Sequence, residues 1–237
     1  MLVCVIGNFD PANPAHVELE PALRRAHTGG DVLEVRWVAP EAITEDGVLK
    51  HLTDADALIG APGPIEDLGG YLDAVEFARE GGEPYLGVEL GMDLAVVEFA
   101  KTVLVWPRAH SHEFDDAQRE AVVTRMDPPP APPGKQAPIV GALGVKFTKE
   151  GPLAQWYGAP SALEEHRTEW GVPPSVRNQL FRAGLKTVAT DESGFLVRAL
   201  QLADHPYFVL TSFVPWLGPA AKDAHPLFKP FLEAASG

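Results

Sequence analysis

The chain has 237 residues, of which 46% are hydrophobic and 22% charged, enough apolar content to bury one sizeable α/β core without requiring a second domain. Its formal net charge of −14 argues against nucleic acid or an anionic membrane as partner, because both recruit basic patches. The single cysteine, Cys4, sits inside the apolar run Leu2 to Ile6, so an intrachain disulfide is excluded and a core position is expected.

Read in chain order, Leu2 to Ile6 is a short apolar run of the kind buried in a parallel sheet. After the prolines at 11 and 14, Val17 to Arg25 has helical spacing. Val32 to Val38 and Ala57 to Gly60 read as strands, Leu68 to Glu80 as a helix, Tyr85 to Gly87 as a strand, and Met92 to Lys101 as a helix. Residues 127 to 138 are proline-rich, which predicts a stiff surface loop inside one domain spanning 1–237. Beyond it, Ile139 to Phe147 and Glu169 to Val172 are predicted strands and Ser175 to Ala183 a helix. Thr187 to Thr190 and Phe195 to Leu202 form a hairpin turned at residues 191 to 194. Tyr207 to Phe213 completes the sheet, and Leu227 to Ala235 is the last helix. The alternation predicts an α/β fold with a doubly wound, mostly parallel sheet flanked by helices. Such sheets bind ligands beyond the carboxyl ends of their strands. The loops at Gly7 to Ala15, Gly60 to Gly70, Glu89 and around Val214 should therefore meet at one edge. With no apolar run of membrane-spanning length and no leader before the first strand, a cytoplasmic protein is the default expectation.

The segment Pro84 to Ala100 carries the chemical signal: a buried strand, an elbow flanked by Gly87 and Gly91, and an amphipathic helix, with Glu89 at the elbow. Residues 87 to 100 (GVELGMDLAVVEFA) resemble the segment that carries the catalytic cysteine in the glutamine amidotransferase domain of CTP synthase, a class I amidotransferase. The resemblance continues through His205-Pro206-Tyr207-Phe208-Val209, Ser212 to Pro215 and His225 to Phe228. Upstream, Asn8 to Pro11, Pro14 to His16, Ala61 to Pro64 and Gly69-Gly70 are similar to the free-standing CTP synthase C-terminal region-related (seleno)proteins. It implies the class I glutamine amidotransferase-like, flavodoxin-like architecture.

What the resemblance implies about chemistry is a substitution of parts. Glu89 stands at the thiol position, Val214 at the histidine position and Trp216 at that of the orienting acid, so glutamine hydrolysis by the family route is expected to be absent. At two positions that help hold glutamine in the family, Asp93 and Glu169 replace a glutamine and an arginine, which predicts a pocket for a neutral or cationic ligand. The turn at Gly60 to Pro64 supplies an oxyanion donor in the family. Pro62 and Pro64 have no N–H, leaving Gly63 or Ile65 to act with the elbow N–H of Leu90.

Two readings stay open. Glu89 is either a working carboxylate, as nucleophile or general base in a hydrolase or cyclase of small amine- or amide-bearing metabolites, or a relic in a binding or regulatory subunit. For the first, His110 and His112 are the candidate catalytic partners and His16 and Asn8 further candidates for substrate contact. A metal held by Glu89, Asp93 and one of those histidines has the right ligand types but not the spacing of a zinc motif, so neither metal nor cofactor is expected. The expected partner is a small molecule, and a homodimer is left open.

Overall fold

The computed structural model describes residues 1–115, 117, 120–129, 137–219 and 223–237. Strand β1 (Leu2–Ile6) leads through helices α1 (Pro14–Val17) and α2 (Leu19–Ala26) to β2 (Glu34–Val38). Helices α3 (Pro40–Asp46) and α4 (Val48–Leu52) then connect to β3 (Ala57–Gly60), and α5 (Leu68–Gly81) to β4 (Tyr85–Val88) and α6 (Leu90–Thr102). Next come β5 (His110–Ser111), β6 (Ala121–Arg125), β7 (Gly141–Phe147), α7 (Leu153–Tyr157), β8 (Ser161–His166) and β9 (Trp170–Gly171). The chain finishes with α8 (Pro174–Arg182), β10 (Leu185–Asp191), β11 (Val197–Leu202), β12 (Phe208–Thr211) and α9 (Phe228–Ala234).

The main sheet runs β2-β1-β3-β4-β12-β11-β10-β7-β8, and β5, β6 and β9 form a small separate set. From β2 to β12 every neighbouring pair is parallel; from β12 to β8 every pair is antiparallel. The parallel strands are covered on both faces, which is why β3, β4 and β12 are buried along their whole length. One face packs Ile43, Tyr71, Val75, Leu94 and Val97 from α3, α5 and α6. The other packs Leu19 and Leu23 of α2 against Phe228 and Phe231 of α9. Each such buried leucine or phenylalanine contributes about 2 kcal/mol.

Most expected elements are present with shifted ends, and the helix expected over 17–25 is two pieces hinged at Glu18. The Pro-rich loop lies largely outside the described residues. Strand β8 is the element the sequence pattern hides. Its inward positions are Glu164 and His166, at 0% and 1% exposure, so the alternation runs polar-in and reads as a surface loop. The short α3, started by Pro40 and stopped by Gly47 at φ 88°, lacks the length of a periodic signal. Among the described residues no helix is long and apolar enough to cross a membrane.

Candidate functional site

Strand β4 ends at Glu89, which adopts φ 50° and ψ −109° before α6 begins. Holding a non-glycine residue there costs about 1–3 kcal/mol. The surroundings fix it: Glu89 N donates to Thr211 O of β12 at 2.8 Å, and its carbonyl accepts from Asp93 N at 3.0 Å. The two glycines around the elbow are required by close approach. A Cβ on Gly91 would lie 2.2 Å from Gly60 O, and one on Gly87 would lie 2.7 Å from Gly91 O. Helix α6 is thereby pressed onto β3 and β4, and the elbow can turn in no other way.

Glu89 is 8% exposed, and its Oε1 accepts from the backbone N of Arg167 at 3.1 Å. Arg167 follows β8, and its Nη1 donates to Asn13 Oδ1 at 3.0 Å, while Asn13 Nδ2 donates to Gly63 O at 3.3 Å. The loops after β1, β3 and β8 are thus tied in a chain across the elbow. One helical turn along, Asp93 is 3% exposed, and among the described residues its carboxyl accepts no hydrogen bond. Glu113, in the loop after β5, completes a group of three carboxyls.

Burial pushes the Glu89 carboxyl up to about 7; the Arg167 charge and N–H oppose this, and Glu113 and Glu165 add to it. Burial, followed by Glu113 and Glu89, holds Asp93 well above the ordinary carboxylate range, and burial also raises Glu113. The elbow carboxyl thus changes charge near neutrality, and among the described residues no cationic side chain forms an ion pair with Glu89, Asp93 or Glu113. Among the described residues no group of three or more His, Cys, Asp or Glu is placed to hold a metal ion.

Of the other residues singled out in the sequence, Gly63 and Leu90 do meet. A Cβ on Gly63 would come within 2.9 Å of Leu90 Cδ2. His16 is buried and engaged on both sides of its ring: Nδ1 accepts from Asp10 N at 2.9 Å and Nε2 lies 3.0 Å from Pro62 O. It joins the loops after β1 and β3 as a latch. Asn8 bridges Glu41 Oε2 and Glu66 N, also at this edge. Glu169 points elsewhere: its half-exposed carboxylate pairs with Arg125 and lines a different cavity, of about 480 Å³.

The rings of His110 and His112 lie 5.6 Å apart. His110 Nδ1 is 3.2 Å from Arg108 O, and its Nε2 is buried without a partner among the described residues. Glu89 Oε1 accepts its hydrogen bond from Arg167 N, and among the described residues none joins it to His110. Val214 is fully buried with its N donating to Glu165 O at 2.8 Å, and Trp216 Nε1 donates to Ala15 O at 2.7 Å. Neither side chain can transfer a proton to or from a substrate. Two residues were missed. Glu113 stands in the same His-Ser-His-Glu run as the two histidines and was readable as a third acid, whereas the Arg167 backbone N–H leaves no signal in a sequence.

The strand order, the elbow and the antiparallel wing define the class: this is the fold of the class I glutamine amidotransferases. The solved glutaminase domain of Trypanosoma brucei CTP synthase, with acivicin bound, superposes with a TM-score of 0.86 at 24% identity, covering 99% of this chain and 93% of that one. A glutamine amidotransferase from Thermotoga maritima matches with a TM-score of 0.54 at 9% identity, over 90% of this chain and 74% of that one.

Among curated proteins the relatives are CTP synthases. That of Bacillus cytotoxicus is 31% identical over 242 residues, covering 98% of this chain and 44% of that protein. That of Cytophaga hutchinsonii is 30% identical over 237 residues, covering 99% and 44%. The chain therefore spans less than half the length of these relatives. No family model matches it.

Proposed function

We propose that this chain is an amidotransferase-fold enzyme that does not hydrolyse glutamine, and that Glu89 acts as general base on a small amine- or amide-bearing metabolite in a hydrolytic or cyclising reaction. The observation that carries this reading is the buried elbow carboxyl raised to about 7, beside an Asp93 carboxyl that accepts no hydrogen bond among the described residues. A base near neutrality is half ionised at working pH and transfers protons with least penalty. Unpaired carboxyls beside it suit a ligand that brings positive charge or N–H donors.

The similarity to CTP synthases supports the negative half of the reading. We read Glu89, Val214 and Trp216, from the sequence resemblance, as standing where the family has its cysteine, histidine and acid. Cys4, the chain's only cysteine, is buried in β1 with Arg36 Nη2 3.3 Å from its sulfur and its thiol pushed up by burial. No thiolate is available at the elbow.

In the proposed step Glu89 takes a proton from water, or from the substrate's own amine in a cyclisation, as that atom bonds to the amide carbonyl carbon. The oxyanion forms beside the backbone N–H groups of Leu90 and of the turn at Gly63. The C–N bond then breaks and the leaving nitrogen takes the proton back from Glu89. A role in natural-product biosynthesis would suit a site so altered, by analogy alone.

A non-catalytic binding or regulatory subunit is the second reading, favoured by one observation: Glu89 lines none of five cavities of about 180 to 560 Å³. Turnover decides between them. With a panel of amine-bearing amides, Glu89→Gln should abolish product formation while leaving ligand affinity intact; turnover that survives in the variant would remove Glu89 from the reaction, and a wild type that binds a ligand of the panel without turning it over would support the binding reading. Glutamine with ammonia detection should give no signal, and measurable hydrolysis would overturn the assignment of Glu89.

A further inference from the structure

A ring of contacts starts and ends at the elbow. Glu89 Oε1 accepts from the backbone N of Arg167, Arg167 Nη1 donates to Asn13 Oδ1 at 3.0 Å, and Asn13 Nδ2 donates to Gly63 O at 3.3 Å. Gly63 in turn packs on Leu90, the residue after Glu89, so closely that a Cβ at 63 would lie 2.9 Å from Leu90 Cδ2. The loops after β1, β3 and β8 each supply one link. Inside the ring, the Asp93 carboxyl and the second oxygen of Glu89 accept no hydrogen bond among the described residues. Glu89 is nevertheless only 8% exposed and lines none of the five cavities.

The links differ in strength. On either side of Arg167 the backbone is pinned: Glu165 O accepts from Val214 N at 2.8 Å, Glu169 O accepts from Met126 N at 2.7 Å, and the Glu169 carboxylate pairs with Arg125. Asn13 is fixed as the cap of α1, with its Oδ1 also accepting from Ala15 N at 3.0 Å. Between these two anchored segments stands a single hydrogen bond from an exposed side chain. Arg167 forms no ion pair among the described residues, and its guanidinium donates to Asn13 alone. Water replaces such a bond at little net cost, so this is the link that opens first.

We propose that the bond between Arg167 and Asn13 is a latch over the elbow, and that a ligand reaches Glu89 and Asp93 only when the latch opens. Opening swings the Arg167 side chain away from the loop after β1. The anchors at Glu165 and Glu169 keep the backbone in place, and with it the N–H that orients Glu89 Oε1. Closed, the latch holds bulk water off the carboxyls; open, it admits a small molecule. The use made of the latch rests on reading Glu89 as a working carboxyl, but its mechanics do not.

Chemical access to the carboxyl tests this without a substrate. The full chain is treated near pH 5 with a water-soluble carbodiimide and glycinamide, and coupling at each acid is followed by peptide mass spectrometry. The Glu89 carboxyl, raised to about 7, is then protonated and reactive in every variant, so its rate reports access. Wild-type Glu89 should couple far more slowly than the exposed Glu34. Arg167→Met, which keeps the backbone N–H, and Asn13→Ala should each speed coupling at Glu89 about fivefold, the factor that loss of one such bond implies. The double variant should be no faster than either, because both remove the same bond. Glu98, buried at the other end of α6, should keep its wild-type rate throughout. Should Asn13→Ala not fold, Arg167→Met and the comparison with Glu34 carry the test. Wild-type Glu89 coupling as fast as Glu34, an unchanged rate in Arg167→Met, additive effects in the double variant, or a parallel rise at Glu98 would each overturn the latch. None of these outcomes depends on turnover, so failure here is distinguishable from failure of Glu89 as a base.

Discussion

Helix α6 buries acids at both ends and treats them in opposite ways. Near its C-terminus Glu98 is 2% exposed, and both carboxylate oxygens are engaged: Oε1 by Arg79 Nη2 at 2.8 Å and Thr102 Oγ1 at 2.7 Å, Oε2 by Arg79 Nε at 2.9 Å. At the N-terminus Glu89 and Asp93 are also buried, yet among the described residues their carboxyls share one hydrogen bond, from a backbone N–H. All three are buried and the chemistry differs. A carboxylate with a fork of donors holds α5 against α6. A carboxyl without them is pushed towards its neutral form, and its charge becomes available to whatever enters. The second arrangement does nothing for the fold that a glutamine or asparagine would not do better, which is why the elbow and not the helix end reads as a working site.

The sharpest way to break this contrast is to neutralise each acid in turn. Glu98→Gln leaves Arg79 largely buried with a weakened partner, and should destabilise the protein by about 3 kcal/mol at neutral pH in urea unfolding. Glu89→Gln should do the reverse, in a pH-dependent way. The folded-state value of about 7 lies above the ordinary 4.5, so wild type keeps its full stability below 4.5 and loses it as the pH rises through about 7. The variant escapes that loss. It should match wild type near pH 4 and exceed it by about 3 kcal/mol at pH 8, taking about 1.4 kcal/mol per unit of pKa difference. Equal stability at pH 8 would mean that Glu89 is solvated and not perturbed.

The parallel half of the fold was legible because its physics is simple. Runs such as Leu2 to Ile6 and Tyr85 to Val88 are apolar since both faces are covered, and Gly87 and Gly91 mark the elbow because no Cβ fits there. The antiparallel wing was less so. β8 turns Glu164 and His166 inward, and Tyr157 Oη donates to Glu164 Oε1 at 2.8 Å, a buried polar network that inverts the usual alternation. At the site, Glu89 and Asp93 stand four residues apart on one helix face, so local spacing brings them together. Glu113 and Arg167 arrive from loops 24 and 78 residues away, and only the tertiary fold reveals that they face the same carboxyl. Glu169 shows the converse: its place in the sequence suggested the ligand pocket, but a nearby arginine, Arg125, draws it away.

Glu113 gives the smallest effect and the most specific one. It raises both Glu89 and Asp93, whereas Arg79 and Thr102 shield Glu98 at the other end of the helix. Glu113→Gln removes that repulsion without touching the elbow's hydrogen bond, so the Glu89 carboxyl should titrate below its wild-type midpoint by a fraction of a pH unit, read by carbon NMR of the glutamate side chains. The Glu98 signal should not move. Adding a cation should push Glu89 in the same direction as the substitution, because both relieve an excess of negative charge, and should release protons when it binds near pH 7. If Glu89 titrates unchanged in Glu113→Gln, the three acids do not share one electrostatic site, and burial alone raises the elbow carboxyl.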